Sequence, residues 1–524
     1  MKAKKESKLC ADMLENEYWW GGNVHFADKM PFDSSTVCSI DLLYNRYTQT
    51  VPFFLSSKGR YIWSDDSFKI SFDKGKITAC GRSPIELEIG GKTLRDAYIA
   101  ARDKHFPFEK DMKVASEFFE KVQFNTWMEF ITDQTEENIL KYAHEIIENG
   151  YKPGIIMIDD GWQNRFGTWD FDPTKFSNPK KMIEELHALG FIVMIWVTPF
   201  VSLDTDDFYA LSGIRGGDGK KHLVRVQSGE YAIFQWWNGY SGMFNLCLPQ
   251  DREFLKSKLD RLINEFGIDG FKFDGGVYRP NTVVTGECDG YNYDGGYTTD
   301  MLNRAWLDFG RSYKFHEFKD TFKYGGLRMV QRLFDKNHKW QGNGIDCLVP
   351  HGIFVGLTGC PYVCPDMVGG GEWKTFLSGN YDEELFVRMA QASALFPMMQ
   401  FSSAPWRHLS EKNAKLCLEA ARLHEKFTGE IKSLVEDAQK SGEPVIRSME
   451  YNYPDCGYEK INDQFMLGKE ILVAPVVEQG QRVKKVVFPS GKWQDITDGK
   501  IYEGGTTVDI PAPIEKLPAF KAVK

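Results

Sequence analysis

Residues 267–276 read Gly-Ile-Asp-Gly-Phe-Lys-Phe-Asp-Gly-Gly, and this stretch decides the fold. A short apolar run carries one interior lysine, ends on Asp274 and breaks into two glycines. Such a run reads as a buried strand, and Asp274 then stands at its C-terminal tip with no bulky residue after it. In a (β/α)8 barrel that tip is where catalytic groups sit. Asp-Gly-Gly is also good turn chemistry, so on this stretch alone an Asp that merely caps a turn competes with the catalytic reading.

Upstream, one unit recurs. From Thr135 to Gly150, residues Ile139, Leu140, Ala143, Ile146 and Ile147 fall at helical spacing. Thr135 is suited to the N-cap and Gly150 to the stop. Residues 154–160, Gly-Ile-Ile-Met-Ile-Asp-Asp, predict a buried strand ending at Asp159 and Asp160. Asn178 and Pro179 open a second helix through Met182, Ile183, Leu186 and Leu189, stopped by Gly190. Residues 191–197 predict another strand. Asp251 opens a third helix through Phe254, Leu255, Leu259, Leu262 and Ile263, ended by Gly267. Helix, glycine, apolar strand and polar tip, repeated, is the signature of parallel βα units. Residues 124–131 would be the first strand, with later strands over 327–334, 362–365 and 398–401 and a helix over 385–396. A (β/α)8 barrel and an open doubly wound sheet both fit these units. No GxGxxG follows a strand, which disfavours a dinucleotide fold.

The flanks read differently. Short extended runs at 51–55, 61–64, 68–72 and 85–89, and again at 464–467, 471–475, 483–488 and 507–510, alternate with Gly, Ser and Pro. The expected organisation is an N-terminal β-domain (1–112), a catalytic barrel (113–428) and a C-terminal β-domain (429–524), the flanks of β-sandwich type. A chain of 524 residues is too long for one core. Two long linkers, 220–242 with Trp236 and Trp237 and 279–299, are expected to build a substrate site.

A net charge of −9 and a pI near 5.7 argue against nucleic-acid binding as the main task. The one basic cluster, Lys2, Lys4, Lys5 and Lys8, reads as a solvated terminus with no apolar signal region behind it. Nothing predicts a membrane span. The ten cysteines lack paired spacing, and Cys360 and Cys364 match neither a redox nor a zinc pattern. Reduced thiols in a cytoplasmic protein are the expectation. No metal or cofactor is expected. Only the acidic residues Asp289, Asp294 and Asp300 invite comparison with a cation loop.

Together these segments resemble glycoside hydrolase family 31, the retaining α-glycosidases, and within it an α-galactosidase-like branch. The likeness is carried in order by Tyr18-Trp19-Trp20-Gly21-Gly22, Val51-Pro52-Phe53, Phe271-Lys272-Phe273-Asp274 and Phe334-Asp335-Lys336. It continues through Pro365-Asp366-Met367-Val368-Gly369-Gly370, Met399-Gln400-Phe401-Ser402 and Pro405-Trp406-Arg407. It ends with Asp463-Gln464-Phe465, Leu472-Val473-Ala474-Pro475-Val476 and Gly491-Lys492-Trp493.

The resemblance implies Asp274 as nucleophile and Asp335, after the next strand, as acid/base. It implies that Asp159 and Asp160 hold sugar hydroxyls and that Asp366 supports the site. Trp162, Trp196, Lys272 and Trp406 are the further substrate-binding candidates. Two departures stand out. Lys319 replaces an Arg often found sixteen residues before the acid/base, and Gly275 and Gly276 stand where a Glu often follows the nucleophile.

The implied activity is double displacement on a terminal α-linked sugar of a small oligosaccharide or glycoside. The sequence Asp159-Asp160-Gly161-Trp162 favours α-galactosides, a Trp wall replacing the Tyr of common α-glucosidases. An α-glucosidase or α-xylosidase is the alternative, and a non-catalytic carbohydrate-binding relative is the alternative of another class. Neither nucleic acid nor membrane is an expected partner, and a homo-oligomer is compatible with the sequence.

Overall fold

The computed structural model describes residues 6–44, 48–110, 112–276, 282–285, 290, 293–376 and 381–523, leaving aside the side chains of 375 and 376. Lys2, Lys4, Lys5 and Asp289 lie outside the described residues. The centre of the molecule is one parallel sheet. Its strands are Gln123–Asn125, Ile155–Ile158, Ile192–Val197, Gly270–Phe273, Phe315–Phe318, Val330–Arg332, Val363–Cys364, Met367–Val368 and Gln400–Phe401. Each pairs with its neighbours in chain order, and Gln400–Phe401 pairs back onto Gln123–Asn125. Val363–Cys364 and Met367–Val368 are two parts of one strand interrupted at Pro365 and Asp366, so the ring closes there. This is a (β/α)8 barrel, and the open doubly wound alternative is excluded.

The helices cover it for the reasons the sequence suggests. Thr135 Oγ1 accepts from Asn138 N to start Glu136–Glu148, and Asn178 Oδ1 accepts from Lys181 N to start Pro179–Ala188 with proline in the first turn. Gly150 and Gly190 leave both helices at positive φ, a conformation that costs a residue with a Cβ. Their apolar stripes bury Ile139, Ala143, Ile146, Met182, Ile183 and Leu186 against the barrel.

Several expectations are corrected. The third helix starts at Pro249, not Asp251. Asp251 is fully buried and takes Leu223 N, Asn245 N and His222 Nδ1 instead. The first strand ends at Asn125, because the Asn125 side chain accepts from Trp127 N and turns the chain into a helical turn, Trp127–Phe130. A strand escaped the sequence reading, Phe315–Phe318, since its His316 and Glu317 break the apolar pattern. Residues 220–242 are not simply a linker. Phe200–Ser202, Phe234–Trp236 and Gly239–Met243 form a small antiparallel sheet with its own core of Phe200, Val224, Val226, Phe234 and Met243.

The flanking sheets are antiparallel except at one junction. Lys76–Gly81 lies between Ser7–Asp12 and Phe68–Asp73, and Gln49–Ser56 lies beside Arg60–Ser64. The N-terminal region also contains a helix, Leu94–His105, with a capping box between Thr93 and Asp96 that the sequence reading did not register. At the C-terminal end, Ile471–Val473 pairs with Ala519–Val523, and Val483–Phe488 with Thr506–Pro511.

The junction matters for the site. Between Phe315–Phe318 and Val330–Arg332 no helix intervenes. Thr321–Phe322 instead pairs in parallel with Gln49–Thr50, and Gln49 Nε2 donates to Lys319 O at 2.5 Å. The N-terminal sheet thereby holds the segment that carries Lys319 and Asp320.

Candidate active site

Five barrel strands bring carboxylates to one end of the ring. Asp159 and Asp160 follow Ile155–Ile158, and Asp274 follows Gly270–Phe273. Asp320 follows Phe315–Phe318, Asp335 follows Val330–Arg332, and Asp366 lies at the interrupted strand. Asp335 therefore comes two strands after Asp274, not one, because Phe315–Phe318 intervenes. These strands are parallel, so all their C-terminal tips share a face.

Asp274 is 4% exposed and held from three sides. Its backbone N donates to Val197 O at 2.9 Å. Oδ1 accepts from Gly275 N at 2.7 Å, and Oδ2 accepts from Trp196 Nε1 at 3.0 Å. Burial alone would raise its pKa, but Lys319, Lys272 and the Trp196 hydrogen bond outweigh that and keep it below the ordinary carboxylate value.

Lys319 links Asp274 to Asp335. Its Nζ lies 2.6 Å from Asp335 Oδ2 and 3.9 Å from Asp274 Oδ2. The other Asp335 oxygen, Oδ1, accepts from Arg332 Nη1 at 2.8 Å. Burial pushes the Asp335 pKa up, yet the two cations together hold it well below the carboxylate range. Both Asp335 oxygens are thus engaged by cations. Arg332, 1% exposed, also donates to Asp366 Oδ1 at 2.5 Å. Asp366 Oδ2 accepts from Lys336 N and Gly371 N, so it braces the loop that presents Asp335.

On the other side, Lys272 Nζ pairs with Asp159 Oδ2 at 2.5 Å. Asp159 N donates to Thr126 Oγ1, and its Oδ1 accepts from Asp160 N. Asp160 Oδ2 accepts from Asn238 Nδ2 at 3.5 Å, while its buried Oδ1 has no hydrogen-bond partner among the described residues. Burial and the neighbouring Asp159 raise the Asp160 pKa to about 7. Asp320 is 9% exposed. Its Oδ2 accepts from the same Gly275 N–H that serves Asp274, at 3.1 Å, and burial together with the Asp274 charge raises its pKa to about 7.

Asp159, Asp160, Trp196, Lys272, Asp274, Asp335 and Asp366 thus form one connected cluster. Trp162 and Trp406 do not offer a ring to it. Trp162 is fully buried, packs on Phe171 and donates from Nε1 to Trp196 O, so the expected flat wall is a strut beneath Trp196. Trp406 stacks on Tyr142 and donates to Glu145 Oε2, both on helix Glu136–Glu148. An aromatic ring near Asp160 is that of Trp237, 60% exposed. The sequence reading missed Arg332 and Asp320 as site members. Their signal was a charge inside or just after a short apolar segment.

Among the described residues, one group could bring three ligand atoms to a metal ion: Glu86, Glu88 and His105, in the N-terminal region. Lys104 Nζ already lies 2.8 Å from Glu88 and 3.6 Å from Glu86. Of the acidic residues compared with a cation loop, Asp294 pairs with Lys221 and Asp300 accepts from Ser67 N and Oγ. The described cysteines are free thiols. No helix among the described residues is long and apolar enough to cross a membrane.

Comparison with known proteins adds to this geometry. Residues 117–427 match the model of the glycosyl hydrolases family 31 TIM-barrel domain, and residues 442–522 that of the family 31 C-terminal domain. The chain is 28% identical to the myogenesis-regulating glycosidase of Mus musculus over 429 residues, 79% of this chain and 58% of that one. It is 24% identical to the α-xylosidase XylQ of Lactiplantibacillus pentosus over 494 residues, 88% of this chain and 60% of that one. The chain therefore spans less than two thirds of the length of these curated relatives. Among solved structures, a family 31 dextranase of Flavobacterium johnsoniae complexed with glucose superposes with a TM-score of 0.83 at 19% identity, covering 100% of this chain and 67% of that one. A soil-metagenome α-xylosidase complexed with xylose gives a TM-score of 0.82 at 20% identity, covering 99% and 79%. At such identities the superpositions establish the fold.

Proposed function

The chain belongs to glycosyl hydrolase family 31, and from that premise we propose that it is a retaining, exo-acting α-glycosidase in which Asp274 is the nucleophile and Asp335 the acid/base. One observation carries this reading: a single ammonium, Lys319 Nζ, touches both Asp274 and Asp335. Two carboxyls bridged by one cation are close enough to flank one glycosidic bond, as a retaining pair about 5 Å apart must.

In the first step an Asp274 oxygen attacks the anomeric carbon and the bond to the leaving oxygen breaks. Trp196 and the Gly275 N–H fix the attacking carboxylate, and Lys319 and Lys272 keep it ionised. Asp335 must give a proton to the leaving oxygen, so it must first gain one. That requires Lys319 to loosen from Asp335, as it can when a sugar hydroxyl offers the lysine another acceptor. In the second step Asp335 takes a proton from water, and the hydroxide displaces Asp274 with net retention.

The preferred sugar is proposed as galacto-configured. The support is the sequence Asp159-Asp160-Gly161-Trp162, without the wall once expected of Trp162. Gluco and galacto substrates differ only at O4, and a buried acceptor left unpaired by the wrong epimer costs roughly 1–3 kcal/mol. Asp160, whose Oδ1 has no partner among the described residues, is such an acceptor. An α-xylosidase is the second reading, favoured by the likeness to XylQ. We further propose domain limits near residues 112 and 428. Rates on nitrophenyl α-galactoside, α-glucoside and α-xyloside test the reading. Faster cleavage of the glucoside or xyloside removes the galacto assignment, and a folded protein that cleaves none removes the enzymatic one.

A further inference from the structure

Directly after Asp274 the chain has no room for another functional side chain. A Cβ on Gly276 would meet Trp306 Cδ1 at 2.1 Å. At Gly275 it would meet Thr198 Oγ1 at 2.7 Å, on a backbone with φ of +69°. The acid that stands beside the nucleophile is Asp320, from the tip of the next strand.

Three features set Asp320 apart from a structural acid. Its Oδ2 shares the Gly275 N–H with Asp274 Oδ1, so the two carboxylates converge on one hydrogen. Its Oδ1 takes no hydrogen bond among the described residues, although the side chain is nine-tenths buried. No cation among the described residues lies within ion-pair distance of it, while Asp159, Asp335 and Asp366 each have one. A largely buried carboxylate next to another carboxylate, with one oxygen left to solvent, is costly, and folding alone gives no reason to keep it. Its segment is nevertheless fixed, since Thr321–Phe322 pairs with the N-terminal sheet and Lys319 O is held by Gln49.

We propose that Asp320 is a specificity-determining residue that accepts a hydrogen bond, through Oδ1, from one hydroxyl of the sugar lying over Asp274. The inference rests on the glycosidase reading above and names a contact within that site. The substrate class it selects is a pyranoside whose hydroxyl at that position is free, neither deoxygenated nor substituted. Asp320 acts beside the nucleophile, whereas Asp159 and Asp160 approach from the other side of the ring of strands.

Asp320→Asn keeps the shape and an oxygen for Gly275 N–H but turns the free acceptor into a donor. kcat/KM is measured on whichever nitrophenyl α-glycoside the protein cleaves fastest, and on its 2-, 3- and 4-deoxy analogues. Asp320→Asn should cost about 10–100-fold on the parent glycoside. On one deoxy analogue, the one lacking the partner hydroxyl, it should cost almost nothing, with the other two following the parent. Equal losses on the parent and all analogues overturn the inference and leave the glycosidase reading standing. Asp320→Ala, with thermal melting as the fold control, repeats the test if the Asn variant misfolds. If no glycoside is cleaved, tryptophan fluorescence is titrated with free galactose, glucose and xylose. Binding that Asp320→Asn weakens supports the contact, unchanged binding overturns it, and no binding by the folded protein removes both readings.

Discussion

Lys319 is ion-paired with Asp335, Nζ to Oδ2 at 2.6 Å, and the same ammonium reaches Asp274 Oδ2 at 3.9 Å. One cation therefore sets the charge state of both carboxylates that the proposed mechanism uses. It favours the ionised form of each, which suits a nucleophile and opposes an acid.

That relationship fixes the sign of a pH effect. Lys319→Met removes a positive charge that lowers both pKa values, so both should rise, by roughly 1–3 units for a contact this close. The acidic limb of kcat/KM, where Asp274 must lose its proton, moves to higher pH. The alkaline limb, where Asp335 must keep its proton, moves up as well. A profile lowered in height with both limbs unmoved would show that Lys319 does not tune the pair.

Asp274→Ala should lose turnover by about 10⁴-fold or more while melting as the parent does. Azide, small enough to enter where the carboxylate stood, should restore part of the rate and yield a β-glycosyl azide. An α-azide, or no rescue alongside an intact fold, would count against a nucleophile at this position.

Asp335→Ala should lose about 10²–10⁴-fold on substrates with poor leaving groups and little on activated aryl glycosides, which need no proton. Equal losses on both classes would remove the acid role. Asp320 and Asp366 would then be the carboxyls to test.

Trp162→Phe keeps an aromatic ring in the core but removes the Nε1 donor to Trp196 O. The expected cost is about 1–3 kcal/mol for the carbonyl left unpaired. kcat should fall, because Trp196 orients Asp274, while the ratio of galactoside to glucoside rates stays constant. A changed ratio would return Trp162 to the role of a sugar-reading wall.

Two carboxyls suffice for the chemistry, so exhaustive EDTA dialysis should leave the rate unchanged. A loss reversed by a divalent ion would direct attention to Glu86, Glu88 and His105.

The βα units were legible because strands Ile155–Ile158, Ile192–Val197 and Gly270–Phe273 are nearly pure apolar runs that follow helix stops, and the resemblance to family 31 chose the barrel over the open sheet. Asp274 was legible for the same reason, standing where such a run breaks into glycine. Strand Phe315–Phe318 was not, since Glu317 is buried in the barrel, where Gln400 donates to its Oε2, and a buried acid looks like a surface residue in sequence. Asp320 and Arg332 stayed hidden with it. Their roles depend on partners far along the chain, Gly275 for one and Asp366 for the other. Trp162 illustrates the opposite error. Its place after the acidic pair suggested contact with sugar, yet the ring turns inward onto Phe171, a choice that only tertiary packing dictates.

The central claim is a covalent glycosyl ester on Asp274, and trapping it is the most direct measurement. The protein is incubated with 5-fluoro-α-galactosyl fluoride, digested, and its peptides are read by mass spectrometry. The account requires one equivalent of label, on the peptide containing Asp274. Label on Asp320, Asp335 or any other carboxyl, or none on a protein that hydrolyses nitrophenyl α-galactoside, would contradict it.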